Sequence, residues 1–292
     1  MTSIICWRNQ EESDVIWAVS DSRVTGSNGS VMTDNCPKLF KIDVNAFRKD
    51  DYFKVRPIRL LSLGFGFSGS TLIGTNVKEM LSAFLGNLNE VSFTDAPDYP
   101  FEQRIPTLLQ ISELAKRIGE RYIMSLGQSY PANARCEFSI FGYCKQSSSL
   151  KAYKLSNSPT NPTELNIEEA NISNGSFLII GDRKQEISDL IEEKKSQFEV
   201  NSLNWWRAPF ITLTNILRDE HAATIGGYLQ FCISSSIDTR MYFISPSEGV
   251  GASIVGFDLF TEVGLIGGFL PGINVGMSMP GPDGWNLTSG SR

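Results

Sequence analysis

TSIICWRNQEESDVIWAVSDSRVT, residues 2–25, carries the pattern from which we predict the fold of this chain. Two short runs of β-branched and aromatic residues, 2–7 and 15–20, are separated by a polar stretch, which is typical of a β-hairpin. If Met1 is removed, the chain begins with Thr2, which then carries both a hydroxyl and a free α-amine. A nucleophile and a general base within one residue indicate an enzyme that works by nucleophilic catalysis.

The rest of the chain alternates between blocks of strands and blocks of helices. Strands are predicted at 36–42, 58–67, 136–144, 150–155, 176–180, 228–234 and 241–245, and helices at 70–86, 106–125, 184–198 and 209–220. Such blocks favour two packed antiparallel sheets with helices layered outside, an α+β fold, over repeated βαβ units.

The composition excludes several classes of function. The net charge of −6 and the lack of a dense Lys/Arg run argue against a nucleic-acid partner. The single histidine, His221, leaves no material for His-based zinc sites, and a catalytic triad would need that one residue. We therefore expect no metal and no organic cofactor.

The 292-residue chain is expected to be a cytoplasmic protein. Its five cysteines are odd in number and widely spaced, which indicates buried thiols in a reducing compartment rather than a disulfide framework. No apolar run approaches the roughly 18 residues of a membrane span, so no membrane partner is expected. We predict one domain over 2–263, with an inserted hairpin or loop at 44–57. The Gly/Pro/Ser-rich segment 264–292 is predicted to be an extended or disordered tail.

Five segments together resemble the N-terminal half and the distal glycine pair of proteasome β subunits and bacterial HslV-type peptidases. These segments are Thr2–Ile5, Val15–Thr25, Asn35–Leu39, Gly66–Thr71 and Thr224–Gly227. Proteins of that kind are N-terminal-nucleophile hydrolases with a four-layer αββα sandwich, in which two antiparallel sheets lie between helix layers. The block order predicted above agrees with that fold.

The resemblance implies an acyl-transfer site. Thr2 would be the nucleophile, with its own α-amine as the base. Lys38 would place a cation beside the Thr2 hydroxyl, and Asp21 would hold that ammonium. The backbone N–H of Gly69, at the start of a helix, would face the oxyanion.

The same resemblance implies a substrate site. An extended peptide would add to the backbone of Thr25 and of 69–71, and a small apolar pocket would receive the side chain before the cut. The expected substrate-binding residues are Arg23, Val24, Thr25, Cys36, Phe67, Ser70 and Thr71.

The chain departs from the family pattern around the expected amine. Asp182, Ala222 and Ile225 stand where the family has Ser, Asp and Ser. Asp182, Asp219 or Thr224 are the candidates to orient the amine instead.

The favoured function is a threonine peptidase whose subunits form a homo-oligomeric ring that admits unfolded polypeptides or peptides, with an ATPase as a possible partner. Activation requires only removal of Met1, which ordinary methionine aminopeptidase should perform before a small residue. The first alternative is a non-catalytic subunit that keeps the fold for assembly or gating. The second is a small-molecule amidase on the same fold.

Overall fold

The computed structural model describes residues 2–11, 13–26, 29–48, 56–90, 100–218, 224–242, 244 and 253–269. The strands are β1 Ser3–Asn9, β2 Val15–Ser20, β3 Val24–Thr25, β4 Val31–Thr33, β5 Leu39–Phe47, β6 Ile58–Gly69, β7 Leu88–Asn89, β8 Cys136–Cys144, β9 Ser149–Asn157, β10 Leu165–Glu169, β11 Phe177–Gly181, β12 Gln230–Ser234, β13 Thr239–Tyr242, β14 Ser253–Ile254 and β15 Phe257–Asp258. The helices are α1 Thr71–Leu85, α2 Phe101–Arg104, α3 Leu108–Ser129, α4 Lys184–Ser196 and α5 Leu203–Arg218, with short helical turns at Pro131–Asn133 and Leu259–Val263.

Two large sheets form the centre of this mixed α+β structure. One has the order β11-β1-β2-β12-β13 and the other β10-β9-β8-β6-β5-β7. Neighbouring strands are antiparallel except for β5 and β7. The predicted opening hairpin is present, with Trp7 of β1 opposite Trp17 of β2.

The hydrophobic residues separate into three clusters. One joins α1 and α3 to the six-stranded sheet, and another joins α4 and α5 to the five-stranded sheet. The third lies between the two sheets. The position of β1 between these clusters explains its hydrophobic composition. Ile5 and Trp7 face the helices, and Ile4 and Cys6 face the other sheet. A strand that is buried on both faces reads as a continuous hydrophobic run.

The helix after β6 starts where the sequence predicts. The side chain of Ser70 accepts a hydrogen bond from the amide of Ile73 and caps α1. Gly86 ends the same helix. Helix α3 starts at a capping box made by Thr107 and Gln110 and runs to Ser129, four residues beyond its predicted end.

Two predicted elements start at different residues in the structure, a helix and a strand. Helix α5 starts at Leu203, six residues before the predicted Pro209, because Trp206 and Ala208 pack into the core and the Trp7 indole donates to the Trp206 carbonyl. Tertiary packing therefore overrides the helix-breaking tendency of Pro209. Strand β10 was not predicted.

The third predicted strand, 36–42, is shifted toward the C-terminus and begins at Leu39. Residues 44–47 continue this strand, and Val44 pairs with Leu61 of β6, so this part of the predicted insertion 44–57 is one arm of an antiparallel pair. Residues 49–55 lie outside the described residues, as do Ser245 and 270–292 of the predicted last strand and tail. Within the part of the chain that the structure describes, no helix is long and apolar enough to cross a membrane.

Candidate active site

A buried ion pair lies beside the start of β1. The Lys38 ammonium is 3.0 Å from Oδ1 of Asp21, and the two side chains are 1% and 0% exposed. The ammonium also donates to the backbone carbonyl of Arg23 at 2.5 Å. Removing two charges from water costs several kcal/mol per ion, so a buried pair is weak evidence for stability and points to a functional role.

The Asp21 carboxylate connects this pair to the residue after Thr2. Its Oδ1 accepts the amide of Ser3 at 3.0 Å, and its Oδ2 accepts the amides of Gly226 and Arg23, each at 3.3 Å. Thr2 itself is buried, with 5% of its surface exposed. Lys38 and Thr2 are therefore both held by one carboxylate, directly or through the adjacent peptide.

The environment of Lys38 makes its ammonium a stronger acid than that of an exposed lysine. Burial lowers the pKa of the Lys38 ammonium below its ordinary value, and the charge of Asp21 opposes that fall. A lysine with a lowered pKa can receive or relay a proton near neutral pH more readily than an exposed lysine.

Gly69 lies at the junction between β6 and α1. Its φ of +91° is in the region that favours glycine, and an added Cβ would overlap the carbonyl oxygen of Arg135. The following amide, of Ser70, donates to that same carbonyl. The first turn of α1 holds no acidic side chain, so the positive end of the helix dipole is not neutralised from within the helix.

A second group of residues lies on the other side of Thr2. The Thr2 carbonyl accepts the amide of Asp182 at 2.8 Å and the Ser68 hydroxyl at 3.4 Å. The Asp182 carboxylate accepts the Thr224 hydroxyl at 2.8 Å. Gly181, with φ +105°, permits this approach, because an added Cβ would overlap the Thr2 carbonyl oxygen.

The structure brings two of the three amine-orienting candidates together. Asp182 and Thr224 are hydrogen-bonded partners, whereas Asp219 lies outside the described residues. Ala222, at the second altered position, also lies outside them. Ile225 is buried in the cluster beneath α4 and α5, so it offers no polar group to Thr2.

The expected substrate residues divide into two sets. Val24 and Thr25 form β3, which pairs with β4, and Arg23 forms an ion pair with Asp34 at 2.7 Å. Cys36 is half-buried, and its amide donates to the Ser22 carbonyl beside this segment. Burial raises the pKa of the Cys36 thiol, which favours the uncharged form over a thiolate nucleophile.

The second set, Phe67, Ser70 and Thr71, lies around the junction of β6 and α1. Phe67 is 1% exposed and stacks on Phe40 in the helix-facing core, so the structure does not bring it to a pocket with Val24 and Cys36. The reason is strand alternation, since β6 directs its aromatic residues toward α1. Ser70 and Thr71 lie at the helix start, with Ser70 occupied as the cap.

Gln230 is a site residue that the sequence-based prediction missed. It is 1% exposed, and its side chain contacts the backbone of both Asp21 and Lys38. The only signal in the sequence is its position three residues after the glycine pair, which by itself does not reveal a buried hydrogen-bonding role.

Comparison with known proteins shows likeness at the level of structure. No protein-family model matches the chain, and no curated protein sequence matches it. Among similar solved structures is Anbu (ancestral beta-subunit) from Yersinia bercovieri, with a TM-score of 0.53 and 13% identity over 82% of this chain and 86% of that chain. Another is Anbu from Hyphomicrobium sp. strain MC1, with a TM-score of 0.51 and 12% identity over 82% and 85% of the two chains.

These structures correct the family expected from the sequence. The predicted membership among proteasome β subunits and HslV-type peptidases is wrong, because the similar structures are Anbu proteins, a distinct family of proteasome-like relatives. Short motifs around Thr2, Asp21 and Lys38 did not discriminate between such families. At these identities the likeness concerns the fold alone. The chain has a proteasome-like fold of the kind seen in Anbu proteins.

Proposed function

We propose that this chain is an N-terminal-nucleophile hydrolase of the threonine type, built on four layers of helix, sheet, sheet and helix. The observation that carries the proposal is the buried Lys38–Asp21 ion pair, whose carboxylate also holds the amide next to Thr2. A protein that only needed stability would gain little from two desolvated charges at this position.

The proposed reaction uses the hydroxyl and amine of a mature chain that starts at Thr2. The Thr2 oxygen attacks the carbonyl carbon of an amide bond, and its proton passes to the α-amine. The Lys38 charge lowers the cost of the developing alkoxide, and the Gly69 amide with the α1 N-terminus stabilises the oxyanion. The C–N bond then breaks and the leaving amine takes the proton. Water hydrolyses the resulting ester, which regenerates Thr2.

We propose peptide bonds in unfolded polypeptides or peptides as the substrate. Residues 23–25 are partly exposed and Gly69 is exposed. Each segment closely follows a residue bonded to the backbone of Thr2 or Ser3, namely Asp21 and Ser68, so accessible backbone near Thr2 suits an added peptide strand. We further propose that copies of the chain assemble into a homo-oligomeric ring and that an ATPase partner delivers unfolded polypeptides to it.

A non-catalytic subunit is the second candidate, and one observation favours it. Ile225, at a position where a catalytic relative would carry serine, is buried in the core. Among the described residues, the hydrogen-bonded pair of Asp182 and Thr224 is then the candidate to orient the Thr2 amine. A chain that retained Met1 would have its free amine on the wrong residue and would fit this candidate.

Intact mass spectrometry tests the proposal directly. The purified protein is measured before and after incubation with a β-lactone and with a peptide epoxyketone, two probes that react with an N-terminal threonine. We expect a mass without Met1 and one adduct, mapped to Thr2. A processed chain that neither probe modifies, or a chain that retains Met1, would contradict the proposed activity and favour the non-catalytic subunit.

A further inference from the structure

Gln230 is the first residue of β12 and lies at the meeting point of the two sheets. Its own strand pairs with β2, and Gln230 is opposite Ser20 in that register. Its side chain reaches toward residues 36–39, the segment that leads into β5 of the other sheet. With 1% of its surface exposed, this amide has no access to water for its hydrogen bonds.

The amide of Gln230 uses its full hydrogen-bonding capacity. Oε1 accepts the backbone amides of Lys38 at 2.9 Å and Leu39 at 3.2 Å. Nε2 donates to the carbonyls of Asp21 at 2.8 Å and Cys36 at 3.3 Å. Two acceptor contacts and two donor contacts are the maximum for a carboxamide. The orientation of the amide is fixed, because a flipped group would face two N–H donors with its own N–H₂.

These four contacts connect the two members of the ion pair through the backbone. Asp21 directly follows β2 of the five-stranded sheet, and Lys38 directly precedes β5 of the six-stranded sheet. Sheet pairing does not hold these two residues against each other, since β2 and β5 belong to different sheets. The side chain of Gln230 bridges that gap, from β12 to the segment that enters β5.

We infer that Gln230 is the positioning residue that sets the distance between Lys38 and Asp21 and so tunes Lys38 for the reaction at Thr2. The reactive role of Lys38 in this inference rests on the proposed function. The positioning itself is a property of the fold and can be measured whether or not the protein is an enzyme.

The test compares Gln230→Met and Gln230→Glu with wild type. Methionine keeps the length and volume but no polar group, whereas glutamate keeps the two acceptor contacts and loses both donors. Gln146→Met is the matched control, because the Gln146 amide also bonds two carbonyls, of Gln103 and Ile105, but not at the site. Thermal unfolding and size-exclusion elution establish that each variant folds.

The first readout is the rate of epoxyketone labelling of Thr2 as a function of pH. We expect both Gln230 variants to label on the order of ten to a hundred times more slowly, the effect of a small misplacement of a reactive group. We also expect the pH of half-maximal labelling to shift, which a general loss of stability would not cause. Gln146→Met should keep the wild-type profile.

The second readout is a crystal structure of each variant, with the separation of the Lys38 ammonium and the Asp21 carboxylate as the measured quantity. An increased separation in either folded variant supports the inference even if wild-type Thr2 is unreactive, in which case only the proposed function fails. An unchanged separation of the two groups together with a wild-type labelling profile overturns the inference that Gln230 positions Lys38. If Gln230→Met does not fold, Gln230→Glu decides both readouts.

Discussion

Thr2 lies between two groups of residues that differ in burial and in the number of hydrogen bonds they make. We call Asp21, Lys38 and Gln230 the Lys38 side, and Ser68, Asp182 and Thr224 the Asp182 side. Every side chain of the Lys38 side is no more than 1% exposed, and each makes at least two hydrogen bonds to the others or to backbone. On the Asp182 side, Asp182 and Thr224 are half-buried and share one side-chain hydrogen bond.

The difference shows which part of the site the fold constrains. A buried ion pair must be fully hydrogen-bonded, so replacing either charge leaves the other without compensation and is strongly destabilising. A half-buried hydrogen bond contributes only about 0.5–1.5 kcal/mol and is exchanged with water on removal. The Lys38 side can therefore change little, whereas the Asp182 side can vary without loss of the fold.

The largest expected effect is that of removing the nucleophile between the two sides. Thr2→Ala deletes the attacking hydroxyl, so Thr2-directed labelling and hydrolysis should fall by about a thousandfold or more. Thr2→Ser keeps a hydroxyl and is the matched control, which should retain measurable activity. Rates of probe labelling and of fluorogenic peptide hydrolysis measure both. Equal activity in the alanine variant would show that neither side serves Thr2.

Lys38→Met should produce the second largest effect, and it should change both activity and stability. The substitution leaves the Asp21 carboxylate buried without a cation, at a cost of roughly 3–5 kcal/mol of unfolding free energy. Activity of the remaining folded protein should fall about a hundredfold or more, since the proposed mechanism loses the cation that stabilises the Thr2 alkoxide. Urea unfolding and peptide hydrolysis measure the two effects.

Lys195→Met is the control for that substitution. Lys195 is also buried, at 6% exposure, but its ammonium bonds the Gly175 carbonyl and Glu192, outside the site described above. It should lose stability and keep its activity per folded molecule. If the two lysine variants lose activity equally, the Lys38 side has no special role.

Thr224→Val should have a smaller effect, because it removes one hydrogen bond on the Asp182 side. We expect about a threefold to tenfold loss of activity and about 1 kcal/mol or less of unfolding free energy. Thr214→Val is the control, since the Thr214 hydroxyl bonds only the Phe210 carbonyl within α5 among the contacts described. A loss of activity as large as that of Lys38→Met would show that the two sides do not differ in their importance for the reaction.

The smallest effect on activity is expected at Asp238, in the turn between β12 and β13. Burial raises the pKa of Asp238, but hydrogen bonds from Ser62 and Arg59 and the charge of Lys41 have the larger combined effect and lower this pKa to about 2. Because the folded pKa is depressed, this carboxylate stabilises the protein above about pH 4, and the contribution disappears as pH falls toward 2.

Asp238→Asn should therefore lose about 1–2 kcal/mol at neutral pH, after allowance for its partial exposure, and should unfold with less dependence on pH between 4 and 2. Asp14→Asn, which breaks the more exposed pair with Arg8, should change stability by less than about 1 kcal/mol. Thermal unfolding from pH 2 to 7 measures both. Neither variant should change the pH profile of Thr2 labelling, which would show that the reactivity of Thr2 does not depend on ion pairs elsewhere in the fold.

Much of the fold was accessible from local patterns in the sequence. The hairpin of β1 and β2, the start of α1 at the Ser70 cap, and the strand Cys136–Cys144 were predicted because each depends on residues close in the chain. The start of α5 was missed, since the packing of Trp206 against residues distant in sequence outweighs the local effect of Pro209. The start of β5 was also missed, because the amide of Cys36, in the predicted strand, donates to the Ser22 carbonyl of a distant segment rather than to β6.

By itself, the sequence determined the alternation of strands and helices and the order of Thr2, Asp21 and Lys38, because hydrophobic periodicity, capping residues and residue types are local properties. Only the tertiary structure decided the likeness of fold to Anbu proteins, the burial of Phe67 away from the site, the Asp182–Thr224 hydrogen bond and the contacts of Gln230. Each of these depends on groups that are far apart in the chain and meet only when the two sheets pack. Hydrogen bonds and desolvation act over a few ångströms in space, and no linear pattern records which distant groups will come that close.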